Sequence, residues 1–195
     1  MEYWLATSPW QGMILWILLY MSDYYLTIYA AQGFREINIF HYEGSYELTP
    51  HFQKDIEGLR PISKLHLALL MVYSAMIYFL WWLFRYLPYL GDLYTLYLGM
   101  FLLIEVAVHI RHFRNIFLIR EIKENGGVDG EITYRKWFSY KLSAHDLYSF
   151  AVLFLIVAIL TFSLFFFGGA IMCAGTGLKH SRLARKAKWQ TTTQP

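Results

Sequence analysis

One stretch between Asp92 and Glu124, DLYTLYLGMFLLIEVAVHIRHFRNIFLIREIKE, reads as a single helix whose first two-thirds is almost wholly apolar. Such a stretch has few destinations. Some twenty apolar residues at about 1.5 Å of rise each match the ~30 Å hydrocarbon layer of a bilayer. Within the apolar part stand Glu105 and His109, one turn apart. The helix then leaves that layer through Arg111, His112, Arg114 and Asn115. Its full length of about 50 Å carries its last turns clear of the hydrocarbon.

Three similar runs accompany it, giving four expected spans at about residues 10–32, 64–85, 92–113 and 147–172. Composition agrees: 57% of the chain is hydrophobic and only 16% charged, against roughly 25% charged in a typical soluble domain. The fold expected is an all-α integral membrane protein. It comprises four transmembrane helices in a bundle (residues 1–178), one short interfacial amphipathic helix, a long third helix, and a basic then polar tail over 179–195.

In chain order, Tyr3 and Trp4 suit a headgroup-level start, and no basic stretch or cleavage site marks a signal peptide. Ser8-Pro9 is a helix entry, with Ser as cap and Pro at the first helical position. Gly33 is the expected stop. Inside this helix Tyr20, Asp23, Tyr24 and Thr27 form a polar stripe that belongs against protein or water. The following loop is rich in acids (Glu36, Glu43, Glu47, Asp55, Glu57), and Phe52, Ile56 and Leu59 repeat at helical spacing after Thr49-Pro50. That pattern fits a short helix lying at a membrane surface. The second span ends in an aromatic cluster (Trp81, Trp82, Tyr86, Tyr89) with Arg85, before a tight turn at Pro88 and Gly91. After Asn125-Gly126-Gly127, Ile132–Tyr134 resembles a short strand. Ser143 to Asp146 reads as a capping-box-like start to a fourth helix running from Ala144 to about Met172.

Four spans place both termini on one face. The loop face then holds eleven Lys and Arg and the terminal face six, so the positive-inside rule favours cytoplasmic loops and non-cytoplasmic termini. The dense tail argues the other way, because a basic segment at a helix end suits an anionic leaflet.

The functional candidates follow from the cost of ionisable groups in oil, ~2.5–3.5 kcal/mol at a helix centre on insertion scales. Asp23, Glu105 and His109 at similar depth suggest a proton relay or cation site, with Tyr20, Tyr24 and Thr27 as its polar lining. The bland reading is interhelical glue, worth ~0.6 kcal/mol per hydrogen bond. Arg111, His112, Arg114 and Asn115 suggest contact with lipid headgroups, or simply a solvated rim. The lone cysteine, Cys173, rules out an internal disulfide. No zinc, nucleotide or hydrolase motif is present, so no metal or cofactor is assigned.

Three functions fit. The first is an oligomeric ion- or proton-linked channel or transporter. The second is a non-catalytic accessory subunit of a larger membrane complex. The third is a membrane enzyme acting on lipid headgroups. The expected partners are the bilayer, further copies or other membrane subunits, and anionic lipid at the tail. Nucleic acid is not among them.

Overall fold

A computed structural model of the chain describes residues 2–87 and 91–193. The Pro88–Gly91 turn and Tyr89 of the aromatic cluster involve residues 88–90, outside the described residues. A short helix, α1 (Glu2–Thr7), precedes α2 (Pro9–Ile37). Ser8 is extended and its Oγ accepts from Trp10 N–H, with Pro9 opening the helix. Helix α2 does not stop at Gly33, as the sequence suggested. Gly33 lies inside it, against Ile119, where an added Cβ would come within 2.8 Å of Ile119 Cγ2. The glycine serves close packing, and the left-handed cap falls to Asn38 at φ 50°.

The loop after α2 carries β1 (Phe40–Tyr42) and the five-residue helix α3 (Gln53–Glu57). Ile56 of α3 is buried against Tyr24 and Ala31 of α2. Helix α4 (Lys64–Arg85) is capped by Ser63, whose Oγ accepts from His66 N–H at 3.2 Å. Helix α5 (Gly91–Asn125) is the long third helix, closed by Gly126 at φ 71°. Strand β2 (Ile132–Tyr134) pairs in parallel with β1, Phe40 opposite Ile132 and Tyr42 opposite Tyr134. Its partner comes from the first loop, so two loops at the same end are tied together.

The largest departure concerns the expected fourth span at 147–172. Helix α6 (Lys136–Thr161) starts a full turn and more before Ser143 and ends within that span. Phe162 takes a left-handed conformation at φ 52°, Ser163 Oγ accepts from Phe166 N–H, and α7 (Leu164–Thr193) runs back alongside α6. Three pairings fix that direction: His180 with Ser143, Ser181 with Tyr148, and Lys188 over Trp137. Hydropathy could not reveal the reversal, because no charged residue lies between Asp146 and Lys179 to mark it. Residues 179–193 of the basic then polar tail are therefore part of a helix. The two ends of the described chain also lie at opposite ends of the molecule, with Glu2 bonded to Ser163 and Lys188 beside Trp137.

Helix α7 packs on both α6 and α5, while α5 also packs on α2. Gly99 and Gly168 allow the α5 and α7 backbones to touch. A Cβ on Gly99 would lie 1.9 Å from Phe165 O, and one on Gly168 2.0 Å from Leu96 O. Around this crossing Trp16, Leu98, Leu102, Phe154, Phe165 and Cys173 form the main apolar core. Four helices, α2, α4, α5 and α6, are long and apolar enough to cross a membrane.

Candidate functional site

Below the apolar core, the facing surfaces of α2 and α5 turn polar. Ser22, Asp23 and Thr27 meet His109 and His112. His112 Nε2 lies 2.8 Å from Asp23 Oδ1 and 3.2 Å from Thr27 Oγ1. Thr27 directs its own hydroxyl proton to Asp23 O at 2.9 Å, so Nε2–H is the donor that serves both oxygens. His112 Nδ1 is buried with no hydrogen-bond partner. The aspartate thus fixes the tautomer and orientation of the ring.

His109, one turn earlier, is built differently. Its Nδ1 sits 2.7 Å from the Glu105 carbonyl oxygen and must donate to it. Its Nε2 is 2.7 Å from Ser22 Oγ, which also lies 2.9 Å from Leu19 O. Ser22 has one proton for two neighbours. With neutral His109 the hydroxyl donates to Nε2. With protonated His109 the ring donates to Ser22, whose proton turns to Leu19 O. The Glu105 carboxyl is on the same stretch of α5, and its Oε2 is buried without a hydrogen-bond partner.

The sequence-derived residues sort into two groups. Asp23 is bonded to His112 instead of His109, and Glu105 and Asp23 share no direct hydrogen bond. The stripe on α2 also divides. Asp23 and Thr27 meet α5, whereas Tyr20 and Tyr24, whose mean direction is about 60° further round α2, pack on His66 of α4. Tyr20 stacks on that imidazole at 4.2 Å between centroids, and Tyr24 donates its hydroxyl proton to Arg60 O at 2.8 Å.

Arg111, His112, Arg114 and Asn115 all line one cavity of about 520 Å³, together with Asp23 and Thr27. It is bounded by α2, α5, α6 and α7 and roofed by the loop around Tyr46 and Glu47. Arg111 and Arg114 lie 3.5 and 3.3 Å from Asp146 Oδ2 on α6, and Asn115 donates to the Tyr46 hydroxyl at 2.9 Å. Burial raises the Tyr46 phenol to about 12. It also lifts the Glu47 carboxyl above the ordinary range, opposed by hydrogen bonds from Thr49 and reinforced by the Asp23 charge.

Asp146, Tyr46, Glu47 and His180 also line the cavity; of these, sequence reasoning singled out only Glu47, as one acid of a first loop that could form the mouth of a cation path. Asp146 was visible as an acid before a long apolar run but was taken for a helix cap. Its true role depends on α6 starting at Lys136. His180 reaches the wall only because α7 folds back, and its Nδ1 pairs with Ser143 Oγ at 2.9 Å. Among the described residues, no group of three or more His, Cys, Asp or Glu side chains is placed to hold a metal ion.

The fold and site define a class: an all-helical chain with four membrane-length helices and a polar cavity at one end. No family model, curated protein or solved structure matches the chain.

Proposed function

We propose that this chain is a proton-linked membrane transport protein, of carrier type. Its four apolar helices cross the bilayer, α3 lies at the surface, and the 520 Å³ cavity receives the transported species. The observation that carries this reading is a row of buried polar groups, paired separately, along the facing sides of α2 and α5. It runs from the buried Glu105 carboxyl through His109–Ser22 to Asp23–His112 and opens into the cavity. Intramembrane ionisable groups are costly and typically serve relays or substrate pathways. Past Glu105 the seam gives way to packed Leu98, Leu102 and Trp16, which suits a carrier closed on one side more than an open pore.

The orientation follows from charge. With α7 folded back, its five basic residues join the eleven of the loops and leave Arg85 alone at the other end. The positive-inside rule then puts the cavity mouth and the end of α7 in the cytoplasm, with α1 outside. This replaces the arrangement with both termini outside.

The test is reconstitution into liposomes carrying an internal pH dye. Wild type dissipates an imposed pH gradient, and Glu105→Gln loses at least tenfold of that rate with unchanged expression and oligomer size. Undiminished flux in Glu105→Gln would refute the relay.

A second reading, an accessory subunit, is favoured by α4. Among the described elements it packs mainly on α2 and α5, and it exposes Met71, Val72, Phe79 and Trp82. Lipid or a neighbouring subunit can cover that face. Stoichiometric co-purification of another membrane protein, lost on Met71→Lys, selects this reading.

A further inference from the structure

A second concavity, of about 320 Å³, lies between the start of α6 and the end of α7, on the outside of the molecule. Its charge differs in kind from that of the large cavity. There, Asp23, Glu47 and Asp146 offset the arginines. Here Lys141, Arg185 and Lys188 are among the lining residues, and no acid occurs among the nine described ones. The interior is apolar and aromatic, formed by Trp137, Ala144, Tyr148 and Ala184. Lys188 Nζ sits 5.3 Å from the Trp137 ring centroid. Tyr148 is fixed by a 3.0 Å hydrogen bond to Ser181 and by Gly177, where a Cβ would lie 2.9 Å from the ring.

We propose that this groove binds an anionic phospholipid. The three cations hold the phosphate, since ammonium and guanidinium groups are strong charge-assisted donors to phosphate oxygens. The acyl chain leaves past Tyr148 along Val152, Leu155 and Ile159, which follow at helical spacing and are all exposed. Depth agrees with this occupant. The rim residues are on the polar side of Leu147, where the apolar run of α6 begins, and Tyr148 at that boundary occupies the level that aromatic belts favour. The inference rests on the membrane reading but not on transport.

The test uses full-length protein purified from the membrane fraction and relipidated with equal amounts of phosphatidylglycerol and phosphatidylcholine. Native mass spectrometry then measures the lipid retained. Wild type retains phosphatidylglycerol preferentially. Lys141→Gln/Arg185→Gln weakens that retention roughly thirtyfold, at about fivefold per charge near a membrane surface. Lys54→Gln/Arg120→Gln, which removes the same charge from the same end, leaves it unchanged. If the first double variant fails to assemble, Arg185→Glu alone, on an exposed side chain, gives the same loss. Three results would overturn the proposal: equal retention of both lipids by wild type, equal loss in both double variants, or displacement of the lipid by millimolar inorganic phosphate.

Discussion

The two halves of α5 make opposite use of the same helix. Before Glu105, Gly99 presses on the α7 backbone, and Leu98 fills the space beside Gly12 of α2 and packs with Trp16. Among the described residues, the side chains of this half make no hydrogen bond, and its geometry is set by shape. After Glu105, His109, Arg111, His112 and Asn115 each reach a polar group on α2, α6 or the first loop, and a cavity opens between them. Dispersion packing leaves little room for an added atom, whereas a hydrogen-bonded seam tolerates space and is costly where a buried group goes unpaired. One helix therefore joins a tightly packed crossing to a polar cavity.

The sharpest way to break the first half is Gly99→Val. Even one Cβ would overlap the Phe165 carbonyl. The backbones must part, and the cost exceeds the ~1–3 kcal/mol usual for overpacking. Loss of folded protein on gel filtration is the expected outcome, and normal yield with an unchanged melting temperature would contradict the crossing.

In the second half, His112→Ala leaves Asp23 without its imidazole partner. A fully buried pair would lose ~3–5 kcal/mol. Asp23 retains about a quarter of its side-chain exposure, so about 2 kcal/mol is expected by thermal unfolding in detergent. Adding Asp23→Asn should recover part of that loss, which two independent sites would not do.

A smaller effect sharpens the account of the cavity roof. The Glu47 carboxyl is raised above its ordinary value by burial, so over that interval the folded chain binds more protons than the unfolded one. Stability from this group is present at low pH and is lost as pH rises through the raised value. Glu47→Gln should flatten that decline in a series of melting curves. An identical slope in the variant would mean the roof is open to water.

The smallest effect is expected at the α6–α7 reversal. Phe162 holds φ 52° and is 94% exposed, and glycine adopts that conformation without steric cost. Phe162→Gly should change stability by less than about 1 kcal/mol in either direction. A large loss would show the ring has a partner.

These halves also differed in how much of them the sequence disclosed. The helical, membrane-length character of residues 92–113 was plain, because twenty apolar residues permit little else. Glu105, His109 and the Arg111–Asn115 group stood out because polar residues are rare in such a setting. Which imidazole meets Asp23 was not legible, since one helical turn decides it and α2–α5 register sets that turn. The reversal at Phe162 was hidden inside uniform hydropathy, and with it the positions of His180 and the basic end of α7. Strand β1 was missed for a related reason: three residues pair only because a distant loop comes to the same end of the molecule.

The central claim is that Asp23 and His112 form one polar unit across α2 and α5. Solid-state NMR of 15N-histidine-labelled protein in bilayers tests it most directly. The account predicts that Asp23→Asn moves the His112 Nε2 resonance while the His41 signals, from a ring beside Glu131, stay in place. An unmoved His112 resonance would contradict the pairing, and with it the polar seam on which the transport reading depends.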